Sequence, residues 1–429
     1  MPVELTESAP VTAGSGHHAA FFRQSGWLMM ANVSSGMMMY AVHLLAKSKT
    51  ISAAEYGAFG VMLSVVMCVP NLPLQMVFAQ QTARALAMKR ERELAGMIRL
   101  AGWGTFALCL LLAVGVFLGQ ADILTGWKLS SVAGLWATVL AVLLSLWMPM
   151  FWGVLQGQQD FFSLGWSTIF NGVGRISLAA GLVLLAGAGA AGMMVGVCAG
   201  LMAATGIGVW QTRSLWLGRA QPFDWRDLLA QIVPLMLGFG AVQFVFTADM
   251  LFVRAYFSSD ETGYYLSAGT MSRALMWLVL PLATVMFPKI VHSVARSEKS
   301  NLLGVVLLGT GILSAGGALV LTFLGPLIIR LVYKDSYVQV AASVLPWYAW
   351  AMVPLSLAYA LVNNLLARSQ FRIVPVLLVL AAAYGFALTR YHDTLIMVLK
   401  TLGVFNLLLL AACAWFTFHG SKAQDQNPQ

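Results

Sequence analysis

Apolar residues run along this chain in about twelve continuous stretches of membrane-span length, separated by short polar segments. A hydrocarbon core near 30 Å takes about 20 helical residues. On that measure the pattern predicts spans at 25–46, 57–79, 100–119, 131–155, 163–187, 191–210, 229–253, 263–288, 302–325, 342–366, 373–389 and 395–418. The runs are continuous instead of alternating, which excludes a β-barrel. The expected fold is all-α and polytopic. The weakest divide is Gly187 to Gly192, a Gly/Ala turn without charge.

Composition removes the soluble alternative. Of 429 residues, 59% are hydrophobic and 10% charged, where soluble domains carry roughly 25% charged residues. With mean hydropathy +0.80 there is too little polar surface to cover a globule in water. The net charge of +9 suggests nucleic acid at first sight, but the basic residues sit in short clusters between apolar runs, where they orient membrane spans. Nucleic-acid binding is set aside.

With a cytoplasmic N-terminus, cytoplasmic segments hold about fifteen of the basic residues and outer loops about seven. The densest cluster is Arg84, Lys89, Arg90, Arg92 and Arg99, and Lys47, Lys49, Arg330 and Lys334 weaken the bias. Both termini are then cytoplasmic. The expected organisation is a flexible N-terminus (1–24), a six-helix bundle (25–213), a cytoplasmic linker (214–228), a second bundle (229–418) and a flexible C-terminus (419–429).

Cys68, Cys109, Cys198 and Cys413 lie in apolar stretches without paired spacing, so neither disulfides nor a metal site is indicated. His17 and His18 read as a solvated tail pair. No polar stretch exceeds about 20 residues, too short for a separate catalytic domain. The pattern G-x-x-x-x-G-K-[ST] is absent, so no nucleotide cofactor is expected and transport would draw on another energy source.

The two halves share features. Ser52-Ala53-Ala54-Glu55-Tyr56-Gly57 follows the first span and Ser258-Ser259-Asp260-Glu261-Thr262-Gly263 the seventh, both reading S-x-x-E-x-G. Pro73-Leu74 with Val77 answers Pro281-Leu282 with Val285. An even number of spans per repeat relates the halves by an axis along the membrane normal. Chance recurrence of a Ser/Glu/Gly turn is the competing reading. Prolines in spans 2 and 8, including Pro281 and Pro288, are expected to kink their helices.

The Glu55-Tyr56-Gly57-Ala58-Phe59 turn, the Gly153-Val154-Leu155-Gln156-Gly157-Gln158 run with Phe161, and Asp249 followed by Phe252-Val253-Arg254 and Gly263-Tyr264-Tyr265 resemble the polysaccharide-biosynthesis branch of the multidrug/oligosaccharidyl-lipid/polysaccharide exporter superfamily, the O-antigen-type flippases. The resemblance covers roughly residues 25–418. It implies two six-helix bundles around a central cavity. It also implies a substrate, an undecaprenyl-diphosphate-linked glycan moved from the inner to the outer leaflet, with polysaccharide polymerase and other glycan-assembly proteins as partners beside membrane lipids.

Charge inside the membrane is the sharpest chemical signal, because a central arginine costs about 2.5–3.5 kcal/mol to insert. Arg175 lies near the middle of span 5, on the face of Thr168 and Asn171. Arg273 lies in span 8, close to Gly269, Thr270 and Trp277. The well-embedded acids reduce to Asp249, for which Arg254 competes, so the expected surplus is positive. A diphosphate would balance it: an ion pair at 4 Å is worth about 4 kcal/mol at an effective dielectric of 20, and the guanidinium fork suits phosphate. The candidate substrate-binding set is Arg175, Arg273, Asp249, Arg254, Asn171 and Asn32. The structural alternative caps Arg175 on helix carbonyls and pairs Arg273 with Asp249.

Weaker polar faces are Asn32, Ser35 and His43 in span 1, Ser64, Asn71 and Gln75 in span 2, and Ser356, Tyr359 and Asn363 in span 10. Interhelical hydrogen bonding accounts for them as well as a wet cavity does. Asp249 and His43 are also candidate proton carriers. The leading expectation is a flippase of the bacterial inner membrane working by alternating access. The alternatives are a membrane polymerase or ligase, for which the longest outer loop (326–341) is short, and a drug exporter, which for cationic drugs needs more embedded acid than this chain has.

Overall fold

The computed structural model describes residues 14–276 and 302–424. Pro281, Val285, Pro288 and the kink expected in span 8 lie outside the described residues, as do residues 1–13. The described residues are helical apart from short turns, with α1 Gly14–Ala41 followed by a 3₁₀ turn Val42–Lys47, α2 Ala53–Met67, α3 Asn71–Ala87, α4 Glu91–Leu118, α5 Gln120–Gly126, α6 Val132–Gly157, α7 Phe161–Ala186, α8 Gly189–Gln211 and α9 Arg213–Trp216. Then come α10 Trp225–Tyr256, α11 over residues 259–276, and α12 Leu302–Val332, α13 Asp335–Ala367, α14 Val374–Arg390 and α15 Leu395–Gln424. Among the described residues 11 helical segments are long and apolar enough to cross a membrane; each coincides with an expected span, and the twelfth expectation falls on α11. The protein is a polytopic membrane protein.

Span 2 is two helices. Val69 and Pro70 interrupt it, with Pro70 extended at the N-cap of α3 (ψ 106°), where a missing N–H costs nothing. The divide at Gly187 is a left-handed turn, φ +63°, which glycine adopts freely. Several boundaries move outward from the apolar runs. The helix α1 begins at Gly14, the stretch 214–228 contains α9 and the first turn of α10, and the expected loop 326–341 shrinks to Tyr333 and Lys334 between α12 and α13. Arg330 and Asp335, in that stretch, are exposed at helix ends, 3.5 Å apart, and surface charge does not stop a helix.

Helices α1–α8 pack mainly on one another, and α10–α15 likewise. The closest pairing, α7 on α8, rests on Gly196 and Gly200. A Cβ at Gly200 would lie 2.2 Å from the Asn171 carbonyl oxygen, and one at Gly196 would lie 2.5 Å from the Ala179 Cβ. Small residues spaced four apart let two backbones meet in lipid, where apolar burial gives no net drive. This approach fixes the α7 segment that carries Asn171 and Arg175.

The S-x-x-E-x-G motif starts a helix in each half. Ser52 Oγ accepts the Glu55 N–H at 3.1 Å, and Ser258 Oγ accepts the Glu261 N–H at 3.3 Å, as N-caps do. Glu261 folds back to accept the Ser258 N–H at 3.0 Å, completing a capping box. Glu55 instead accepts the Ala190 N–H at the start of α8 and the Ser130 hydroxyl at 3.1 Å. The two glycines abut. A Cβ on Gly57 would sit 2.9 Å from the Gly263 nitrogen, and one on Gly263 would sit 2.0 Å from the Ala53 oxygen.

Candidate functional site

Asp249, fully buried on α10, is the centre of a network inside the second half. Its Oδ1 accepts Arg273 Nη2 from α11 at 2.7 Å, and its Oδ2 accepts the Tyr265 hydroxyl at 2.8 Å and the Tyr348 hydroxyl from α13. The Arg273 guanidinium lies 5.4 Å from the Phe246 ring centre and 5.6 Å from that of Tyr348. Arg273 Nε, by contrast, is buried with no partner. Burial strengthens these charge-assisted bonds and makes any unpaired member costly.

Arg254 does not compete for Asp249. It ends α10 and is 1% exposed, donating from Nε to the Trp127 carbonyl at 2.8 Å and from Nη2 to the Lys128 carbonyl at 2.6 Å. Its Nη1 reaches the Ala54 oxygen at 3.3 Å and the Ser259 oxygen at 3.4 Å. Backbone acceptors, invisible to a search for carboxylates, take this cation out of the balance and leave it no free donor face for a diphosphate.

The remaining embedded cation is Arg175. It is partly buried on α7 with its Nε unpartnered. The ion pairs among the described residues are Arg90–Glu93, Arg273–Asp249 and Arg330–Asp335, so Arg175 has no carboxylate there. The positive surplus read from the sequence therefore concentrates on one arginine instead of two. Asn171, 3% exposed, sits one turn before it and directs its amide toward Met148 Sδ at 3.6 Å. Asn32 is exposed on α1.

Tyr40 and Tyr56 connect the halves, with His43 behind them. His43 is 8% exposed. Its Nδ1 is 2.7 Å from the Tyr56 hydroxyl, which is 2.9 Å from the Tyr333 hydroxyl. Tyr40 donates to the Thr270 carbonyl at 2.8 Å, and Tyr337 stacks on Tyr333 with ring centres 5.4 Å apart. Sequence reading missed Tyr333 and Tyr337 because both fell in the expected loop. The i, i+4 spacing of two tyrosines beside an apolar run was the available signal. A separate groove of about 320 Å³ between α10 and α14 is lined by Met236, Leu237, Phe244 and other apolar residues, and holds no group that would bind an anion.

This fold is shared with solved membrane transporters. The chain is similar to an inward-facing multidrug resistance MATE family transporter of the MOP superfamily, with TM-score 0.72 and 11% identity over 93% of this chain and 99% of that one. It is similar to lipid II flippase MurJ in an inward closed conformation, with TM-score 0.68 and 14% identity over 91% of this chain and 87% of that one. An outward-facing MATE family transporter of the same superfamily gives TM-score 0.63 and 11% identity over 94% of each chain. At these identities the likeness is one of fold. A family profile described as polysaccharide biosynthesis protein matches residues 21–294, and the chain belongs to that family. A sequence comparison with curated proteins gives no match.

Proposed function

We propose that this protein is a flippase that moves an undecaprenyl-diphosphate-linked oligosaccharide across the bacterial inner membrane by alternating access, for surface polysaccharide biosynthesis. The observation that carries the reading is Arg175, an embedded guanidinium with a buried, unpartnered Nε and no acidic partner among the described residues. Its cost of insertion, about 2.5–3.5 kcal/mol, calls for an anion. A diphosphate meets the need through the guanidinium fork. Arg273, on α11, has its own unpartnered Nε while Asp249 fixes its orientation, and Asn171 and Asn32 add polar donors on α7 and α1. The lipid tail stays in the bilayer while the halves rock about the bound head group.

Family membership supports a glycan-assembly role, and the MurJ likeness supports a fold suited to lipid-linked cargo. Both termini are cytoplasmic in this reading, and the polymerase and other glycan-assembly proteins act on the product at the far face. Export of cationic drugs is disfavoured because the embedded carboxylate, Asp249, is already taken by Arg273, Tyr265 and Tyr348. A polymerase or ligase is disfavoured by the two-residue turn that replaces the longest expected outer loop.

The test is surface-glycan export in cells that depend on this protein. Arg175→Ala is expected to abolish export with normal membrane levels. Arg175→Lys is expected to restore part of it, keeping charge without the fork. Full export by Arg175→Ala would remove the electrostatic mechanism.

A further inference from the structure

At one end of the molecule the halves are joined by cations seated on backbone carbonyls of the opposite half. Lys128 Nζ, from the first half, donates to the Phe257 carbonyl at 2.7 Å. Lys334 Nζ, from the second, donates to the Ile51 carbonyl at 2.6 Å. The sequence offset that aligns Ser52 with Ser258 also aligns Lys128 with Lys334 and Ile51 with Phe257. The two bonds are therefore one bond made twice, with donor and acceptor halves exchanged.

Gly57 and Gly263 meet at the same offset, between these bonds, and the close approach described above runs both ways. Lys47, which donates to the Leu331 carbonyl at 3.0 Å, and Arg254 on its four carbonyls reinforce the same end. Beneath them lies the aromatic layer of Tyr56, Tyr333 and Tyr337. Toward the α3–α4 end, the cross-half side-chain hydrogen bond among the described residues is an exposed neutral one, Gln81 to Gln231 at 3.2 Å.

We propose that Lys128 and Lys334 form a reciprocal latch across the pseudo-two-fold axis, closing over the Gly57–Gly263 contact, and that releasing it opens this face of the transporter. The purpose of the latch rests on the alternating-access reading, but its existence does not. Each half supplies one ammonium and one carbonyl, so the two bonds break together when the halves rock apart at this face. Water at the opened face would solvate all four groups, which makes the latch reversible.

Accessibility of a single cysteine tests this without any substrate. Cys68, Cys109, Cys198 and Cys413 are replaced by serine, and Thr270→Cys places a reporter opposite Tyr56, whose hydroxyl is 3.4 Å from Thr270 Oγ1. A membrane-impermeant maleimide is applied to sealed vesicles of each orientation. The parent is expected to stay unlabelled from the side bearing the 127–131 loop. The double variant Lys128→Met/Lys334→Met is expected to label there about a hundredfold faster or more, each lost charged hydrogen bond contributing about tenfold.

Each single lysine variant is expected to give the same intermediate rate, because the two bonds are equivalent. Gly263→Ala, whose Cβ would meet the Ala53 oxygen at 2.0 Å, is expected to label like the double variant with every cation intact. Unchanged labelling in folded, monodisperse protein, or faster labelling only from the opposite side, overturns the latch. Faster labelling together with unimpaired glycan export by Arg175→Ala leaves the latch standing and removes the proposed substrate mechanism.

Discussion

Removing the Asp249 carboxylate should cost more than any other single truncation in the second half. Asp249→Ala deletes the acceptor of three side-chain donors and strands Arg273, which is 7% exposed, without a counter-charge. The faces of Phe246 and Tyr348 lie against the guanidinium with or without the carboxylate, so they leave the difference unchanged. Breaking a buried pair from one side costs about 3–5 kcal/mol, and a loss in that range is expected. Arg273→Met in the same chain removes the stranded cation, and most of the loss should return. The assay is a double-mutant cycle on detergent-purified protein, reading unfolding by tryptophan fluorescence across a denaturant titration. The cycle is expected to give a coupling of about 2–3 kcal/mol. A coupling below about 0.5 kcal/mol would falsify the pairing and return Arg273 to the pool of free cations.

Gly200→Leu should separate α7 from α8 and lower stability by about 1–3 kcal/mol through overpacking, seen as a lower melting temperature in detergent; an unchanged value would contradict the close approach. Arg254→Ala loses two short charge-assisted bonds worth roughly 1.5–3 kcal/mol each, whereas Arg254→Gln should recover a minor part in the same melt. Topology reporters fused at Lys89 and at Ser130 should report opposite sides of the membrane, and agreement between them would refute the crossing of α4.

Legibility in the sequence followed the physics of each feature. Spans were readable because a helix in lipid must be apolar along its whole length, and Pro70 broke span 2 where a helix interior lacks room for the ring. The S-x-x-E motif was readable as a helix start because a side-chain oxygen must meet an orphan N–H. Arg273 with Asp249 was one of two readings left open, and local spacing did not decide it, since the residues sit on different helices. The carbonyl seats of Arg254, Lys128 and Lys334 had no sequence signal at all: every residue has a carbonyl, so no acceptor residue type marks them. Tyr333 and Tyr337 were hidden by neighbouring charge. The sequence placed Arg175 on a face with Asn171 without showing that, among the described residues, the carboxylates pair elsewhere.

The exchanged lysine bonds have an evolutionary consequence. A contact that each half makes to the other in the same way is what a symmetric dimer of one shorter chain would possess, with a single lysine codon supplying both bonds. Once two copies are fused, each codon drifts alone, and only the chemistry in use resists. Both donor positions hold lysine, while the acceptor positions hold the unlike residues Ile51 and Phe257, a difference the bonds tolerate because only their backbone is engaged. Ancestral reconstruction of the two halves should therefore converge at the donor positions sooner than at the acceptors.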